Sequence, residues 1–470
     1  MTAEELRFES VLGLAGALRD GRTTSVELVE AYLAAADRLD PTLGTYLARF
    51  DDSALKAAAE ADAERAAGRE RGPLHGIPVG VKDILATDEG PTTAQSLVLD
   101  PSWGEQGDGP VVTRLREAGA IVLGKTTTME FAIGYPDRSK PFPVPTNPWN
   151  TDHWTGGSSS GTGNGIAAGL FPTGLGTDTG GSIRIPAAYC GVSGHKPTFG
   201  LVPKSGCVPL GFSYDHIGPL ARTAADCAAV LDVIAGPDPS DPTSAAVRGA
   251  PVSYLDRIDA GVKGLRVGVV RSVTADGPFC EPGVRDCFDR SLDDLAKAGA
   301  RLEEIEFPWW NELHDACFLG LQAEAFAWHR STLQTRWEDY GYPTRLTLAH
   351  GALISGADYA QSQRVRRTGR RAVGALFDEV DVLVLPTAGS GAPSFRHASD
   401  ISKRLQSIFT PPFNALGFPA LSVPMGFDPG GLPTSLQIVA PPFADALALR
   451  VGHAYQQVTD WHRQVPPLAR

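Results

Sequence analysis

No CxxC pair occurs among the six cysteines, Cys190, Cys207, Cys227, Cys280, Cys287 and Cys317, and no histidine stands near one at zinc-ligand spacing. That removes the sequence signature of a structural metal site, so no metal is expected and buried free thiols are. Long apolar runs are missing too: nothing approaches the roughly 20 residues of a membrane-spanning helix. The N-terminus, MTAEELRFESVLGLAGALRD, carries acids where a signal peptide needs a basic start. A cytoplasmic protein with no membrane partner is the expectation. Basic residues are in deficit, 42 Lys and Arg against 54 Asp and Glu, for a net charge of -12. Nucleic acid rewards clustered Lys and Arg, so a small-molecule partner and no nucleic acid are expected.

The 470 residues, 42% of them hydrophobic, are enough to bury a large core. TSVELVEAYLAAADRL (24 to 39) places Val26, Val29, Leu33 and Ala36 on one face behind a Thr/Ser start, which predicts an amphipathic helix. A second, Ala-rich helix is predicted over about 52 to 67. Short apolar runs then follow at 77 to 85, 120 to 125, 265 to 270, 381 to 387, 420 to 427 and 435 to 442, as buried strands require. Helical stretches alternate with them, so the class is α/β. We expect one domain over 1 to 470, with a helical N-terminal segment over about 1 to 70 and a loop or linker over about 236 to 262, which opens with GPDPSDPT. The aromatic-rich stretch 308 to 360, with Trp309, Trp310, Trp328, Trp337, Tyr340 and Tyr342, reads either as core packing or as a wall of a substrate site.

GAIVLGKT (119 to 126) satisfies the phosphate-loop pattern letter for letter. That motif needs a strand, then a flexible loop, then a helix, whereas here the variable positions are themselves strand formers and Thr126 to Thr128 open a helix poorly. Nucleotide binding is not expected. GLGTDTG likewise lacks the glycine spacing of a dinucleotide fingerprint.

GTDTGGSIRIP (176 to 186) sets Ser182 behind two glycines at the head of a predicted helix, where backbone N–H groups suit a developing oxyanion. No histidine lies within ten residues on its N-terminal side. His153, His195 and His216 are nearest, and none is favoured. TGGSSSGTGNG (155 to 165) adds a second serine cluster, and Lys82 sits between apolar neighbours in IPVGVKDIL, where burial lowers an amine's pKa and frees it to accept a proton. A lysine with a buried stem and a head paired to Asp83 is the competing reading.

These three segments, VKD at Lys82, GGSSSG at 156 to 161 and GTDTGGSIRIPAAYCGVSGHKPTFG at 176 to 200, resemble the amidase signature family. The similarity runs from the helix near residue 24 to GLPTSLQIVAPPF at 431 to 443. The resemblance implies a mixed β-sheet covered by helices on both faces. It also implies a Ser–cis-Ser–Lys set: Ser182 as nucleophile, Ser158 after a cis peptide bond as the middle serine, Lys82 as base. Backbone N–H groups of Thr179, Gly180, Gly181 and Ser182 would form the oxyanion hole, Asp178 and Arg184 would pair to hold the turn, and Ser159 and Ser160 would be scaffold. The chemistry implied is amide hydrolysis through an acyl-enzyme, without cofactor, and relatives commonly form homodimers.

Thr127, Thr155 and the pair Thr434-Ser435 depart from the family pattern, the first on what is expected to be the substrate side. Ser407, Ile408 and Phe409 precede TPPFNALGFP where the glutaminase subunit of the tRNA-dependent amidotransferase has an Asp. The expectation is therefore a stand-alone amidase acting on a small apolar or aryl amide, an ester or carbamate also being open. The glutaminase subunit is the alternative, and a catalytically silent binding protein comes third. Arg366 or Arg367 is the candidate for meeting an acidic substrate.

Overall fold

The computed structural model of the chain describes residues 2–246, 253–396 and 407–470. Its strands are β1 (Tyr46–Arg49), β2 (Pro78–Lys82), β3 (Ile121–Thr126), β4 (Thr146–Asn147), β5 (Asn150–Trp154), β6 (Thr173–Asp178), β7 (Ser193–Lys196), β8 (His216–Ala221), β9 (Arg266–Val269), β10 (Arg301–Glu304), β11 (Val382–Pro386), β12 (Ala420–Phe427) and β13 (Pro433–Val439). Eleven of them form one mixed sheet in the order β1-β3-β2-β6-β8-β7-β12-β13-β11-β9-β10, with β4 and β5 apart as a hairpin. β3, β2 and β6 run parallel, as do β11, β9 and β10, and the strands between these groups are antiparallel. β2, β3, β6, β8 and β11 are buried along their whole length, which requires cover on both faces and explains their continuous apolar reading where it exists.

The expected N-terminal helix spans Ser25–Leu43. Thr24 accepts from the Glu27 N–H at 3.1 Å and the Glu27 carboxylate accepts from the Thr24 N–H at 3.0 Å, a reciprocal cap, and Gly44 in the left-handed region ends it. The Ala-rich helix is Asp51–Ala66. All six apolar runs contain strands, but β6, β7 and β8 lie outside them: their Gly, Thr, Ser, His and Lys content hides them from any hydrophobic pattern. The stretch 236 to 262 holds two short 3₁₀ turns, Pro242–Ala246 and Ile258–Ala260, and part of it, 247 to 252, lies outside the described residues.

The aromatic segment divides between the two readings. Its helices Trp310–Thr335 and Tyr342–Gly351 pack Trp310 edge-on to Phe307 with centroids 5.2 Å apart, while Trp309, Trp328, Trp337 and Tyr342 are exposed. Among the described residues no helix is long and apolar enough to cross a membrane, all six cysteines are free, and no cluster of His, Cys, Asp and Glu is placed to hold a metal.

Candidate active site

β2 and β6 lie side by side and parallel, with Val81 opposite Leu175, so their carboxyl ends deliver Lys82 and the Thr177-Asp178 pair to the same edge of the sheet. Crevices outside the carboxyl ends of parallel strands are where α/β sheets place ligands. Helix Ser160–Ala167 packs over β6, and Gly176 permits the approach: a Cβ there would stand 2.7 Å from Ser159 Oγ. Ser159 Oγ donates to the Thr177 carbonyl at 3.2 Å and accepts from the Thr177 N–H at 3.1 Å. Ser160 Oγ donates to the Gly156 carbonyl at 2.9 Å. Both serines are thus spent on structure. The Gly157–Ser158 peptide is cis.

Lys82 is fully buried and its Nζ lies 2.7 Å from Ser158 Oγ and 2.7 Å from Thr177 Oγ1. Burial pushes the ammonium down to about 7, more than Cys207, Asp178 and Asp215 raise it. It does not pair with Asp83. That carboxylate meets Lys125 at 3.2 Å, the lysine of the GKT sequence, which also donates to the Leu85 carbonyl at 2.7 Å. The phosphate-loop look-alike is therefore strand β3, and its lysine, not Lys82, pairs with Asp83. Sequence reasoning misses Thr177. Its position one residue before Asp178, on a strand parallel to Lys82, is the only signal it leaves.

Ser182 stands two residues before helix Arg184–Cys190 rather than in its first turn. The backbone N–H of Ser159 donates to the Ser182 carbonyl at 3.2 Å, which ties the two serine segments together, and both Ser158 and Ser182 line one cavity. No hydrogen bond joins Ser158 Oγ to Ser182 Oγ among the described residues.

Asp178 and Arg184 pair as expected, with Nη2 2.9 Å and Nε 3.0 Å from the carboxylate, both residues fully buried. The carboxylate also accepts from the Gly181 N–H at 2.7 Å, the Ile183 N–H at 3.2 Å and Asn414 Nδ2 at 2.8 Å. Burial works to raise this carboxyl, but the Arg184 guanidinium and these donors hold it well below the ordinary carboxylate range. Of the four N–H groups expected as oxyanion donors, that of Gly181 points at Asp178, while those of Thr179, Gly180 and Ser182 have no acceptor among the described residues. Gly181 has φ +134, and an added Cβ would fall 2.1 Å from Thr410 Oγ1, itself donating to the Gly180 carbonyl at 2.7 Å. Gly181→Ala is expected to lower kcat/KM by about 10²-fold, the usual cost of displacing a catalytic group by an ångström, in steady-state amide hydrolysis assays.

The cavity, about 220 Å³, is walled by the 129–135 turn on one side and by Phe318, Leu321, Gln322 and Thr347 on the other. The aromatic segment thus lines the site through these residues and not through its tryptophans. Other expected residues lie elsewhere. Thr127 is buried, donating to the Gly44 carbonyl at 2.8 Å, and does not reach the cavity. Arg366 stacks on Tyr214 at 3.9 Å and donates to the Ala415 and Ser213 carbonyls, while Arg367 is a surface residue. His195 bonds Asp445 at 3.0 Å and His216 the Asp178 carbonyl at 3.0 Å, and neither lines the cavity that holds Ser182. Ile408, in the segment where an Asp would mark the glutaminase, faces the cavity.

The Amidase family matches residues 27–449 of this chain. A curated relative from Chloroflexus aggregans, named as the A component of glutamyl-tRNA(Gln) amidotransferase, is 39% identical, the match covering 99% of each chain. Among solved structures, the native peptide amidase of Stenotrophomonas maltophilia superposes with a TM-score of 0.83 at 32% identity, covering 96% of both chains. The corresponding glutamyl-tRNA(Gln) amidotransferase component of Thermotoga maritima does so at 0.77 and 30%, covering 92% of this chain and 91% of that one. The Chloroflexus and Thermotoga likenesses overturn two expectations: a stand-alone amidase for apolar or aryl amides, and the absence of any nucleic-acid-linked partner. Both rested on local or bulk features, the single position before TPPFNALGFP and the net charge, and full-length likeness to a protein whose name includes tRNA outweighs them. A net negative charge says little about one component of an assembly whose neighbours can carry the contact with nucleic acid. The sequence match, the fold and the arrangement of β2, β6 and the two serine segments agree: this chain belongs to the amidase signature family and is an amidase-type enzyme that hydrolyses C–N bonds.

Proposed function

We propose that the chain is the amide-hydrolysing component of a glutamyl-tRNA(Gln)-type amidotransferase, releasing ammonia from a donor amide through an acyl-enzyme on Ser182. The similarity to curated amidotransferase components over 99% of both lengths carries the reading of the assembly, and the buried Lys82–Ser158 contact carries that of the chemistry. The continuous eleven-stranded sheet supports treating residues 1 to 470 as one catalytic unit.

Uncharged Lys82 accepts the proton of Ser158 as Ser158 accepts that of Ser182, whose Oγ attacks the amide carbonyl. Thr177 Oγ1 fixes the amine's orientation from the other side. Charge develops on the carbonyl oxygen towards the N–H groups of Thr179, Gly180 and Ser182, where a preorganised donor is typically worth about 10²–10³ in rate. The proton returns along the same hydroxyl to the departing nitrogen, the C–N bond breaks and ammonia leaves. Water, activated by the same relay, then cleaves the ester at Ser182.

The test is ammonia release from glutamine, with and without the remaining amidotransferase components and glutamyl-tRNA(Gln). Release that rises when they are present, with amidation of the tRNA-bound glutamate, is expected. Hydrolysis of simple amides by the isolated chain, unchanged by those additions and with none from glutamine, overturns the reading. Separately, a fluorophosphonate probe is expected to label wild type at Ser182, located by peptide mass mapping, and to leave Ser182→Ala unlabelled.

A further inference from the structure

Asp178 ends β6, His216 begins β8 and Lys196 ends β7, three strands that lie side by side in the order β6-β8-β7. β8 is antiparallel to both neighbours, so the three residues meet at the catalytic edge of the sheet, with His216 opposite Asp178. Lys196 and His216 are buried and neither lines the cavity.

His216 Nδ1 lies 3.0 Å from the Asp178 carbonyl oxygen, and its Nε2 lies 3.4 Å from Lys196 Nζ. A carbonyl only accepts, so Nδ1 carries the proton. Burial brings Lys196 down to about 7, and in either charge state the amine keeps N–H bonds to donate, one to the Pro197 carbonyl at 3.1 Å. Nε2 therefore offers its lone pair, and both contacts demand one form of the ring: neutral, with the proton on Nδ1. Burial, and after it the Lys196 charge, hold the imidazole well below its ordinary range, which keeps it in that form. The carbonyl that His216 engages belongs to the same peptide unit as the Thr179 N–H, and the two point in opposite directions across it. Asn414 Nδ2 donates to this carbonyl at 3.1 Å, and Asp215, the residue before His216, accepts from Thr179 Oγ1 at 2.6 Å. Held from behind in this way, the Thr179 N–H has no acceptor among the described residues, and Thr179 itself lines the cavity. Donors on a carbonyl also polarise the hydrogen-bonding groups linked to it.

We propose that His216 is a positioning residue for the reaction at Ser182: in the tautomer that its two contacts select, it holds the 178–179 peptide so that the Thr179 N–H is aimed at the oxygen on which charge develops. This rests on the acyl-enzyme reading given above and deepens it. The substrate does not touch His216, which acts through Thr179, and Lys196 acts through His216.

Two measurements on the full-length protein test this. Proton–nitrogen NMR spectra of histidine-labelled wild type, with the His216 signal identified by its loss in His216→Asn, should show Nδ1 protonated and Nε2 bare near neutral pH. The opposite tautomer, or an imidazolium, overturns the proposal. The second measurement is the rate at which a fluorophosphonate labels Ser182, which needs no knowledge of the natural amide. His216→Leu should slow labelling by about tenfold, less than the 10²–10³ of a deleted oxyanion donor, because the N–H is misaimed and not removed. His216→Asn, whose Nδ2 stands where Nδ1 stood, should recover most of the rate. Asn fills less of the buried space than Leu, so a merely structural role would make Asn the slower of the two as well as the less stable in thermal unfolding. Equal rates in wild type and His216→Leu, or an Asn variant no faster than the Leu variant, overturns the positioning role while leaving the acyl-enzyme intact. A wild type that is not labelled at Ser182 overturns the acyl-enzyme reading, and this proposal with it.

Discussion

Lys82→Ala is expected to lower kcat/KM for amide hydrolysis by about 10²–10⁴-fold, the range that a positioned proton acceptor usually supplies. Lys82→Arg should not rescue it, because a guanidinium does not give up its proton in proteins. The pH profile of wild type supplies the sign. Burial brings the amine down to about 7, so below that value Lys82 is an ammonium with no lone pair to offer, and above it the neutral amine faces Ser158. kcat/KM should therefore rise with pH through about 7 and level off above it. A rate that falls over this interval, or a Lys82→Ala enzyme of wild-type activity, removes the lysine from the mechanism. Fluorophosphonate labelling of Ser182 should slow in parallel, which separates a lost base from a lost substrate contact.

The other large effect concerns the turn that carries Ser182. Arg184→Met leaves Asp178 as a buried, uncompensated carboxylate, and breaking such a pair from one side costs about 3–5 kcal/mol. The pair and its surrounding bonds are fully buried, so solvent screening does not soften the loss. Thermal or urea unfolding should show a strong drop in stability, and Asp178→Asn, which keeps the shape but leaves Arg184 as the uncompensated charge, a loss of the same order. Asp178 also sets the pH response. Its pKa is depressed in the folded chain, so its contribution is fully present above the unfolded carboxylate range and is lost as pH falls below it. Arg184→Met should flatten this acid limb of the stability curve. An unfolding curve identical to wild type would show that the pair contributes nothing.

How much is legible in the sequence differs by element. The capped helix Ser25–Leu43 and the Val- and Leu-rich strands announce themselves because burial needs apolar side chains at fixed periods. β6 does not. TGLGTD is buried on both faces yet built from Gly and Thr, because Ser159 must pack against Gly176 and Thr177 must present its hydroxyl to Lys82. A strand shaped by its site loses the hydrophobic signature of a strand. Similarly, the division of labour between Lys82 and Lys125 depends on which of two adjacent strand ends faces Asp83, a tertiary fact that no window of sequence contains. The misreading of function has a different origin. It weighs one short segment, around Ile408, against a likeness that extends along the entire chain.

Arg184 reaches across 253 positions to Gln437 Oε1 at 2.6 Å and across 230 to Asn414 Oδ1 at 2.6 Å. Closing contacts at that separation is slow, and a chain emerging from the ribosome has all of β2, β3 and β6 available long before those partners exist. The turn that carries Ser182 is therefore completed only when nearly the whole polypeptide has been made, and a nascent or C-terminally shortened chain holds its serines and its lysine without the bonds from Gln437 and Asn414 that brace Arg184.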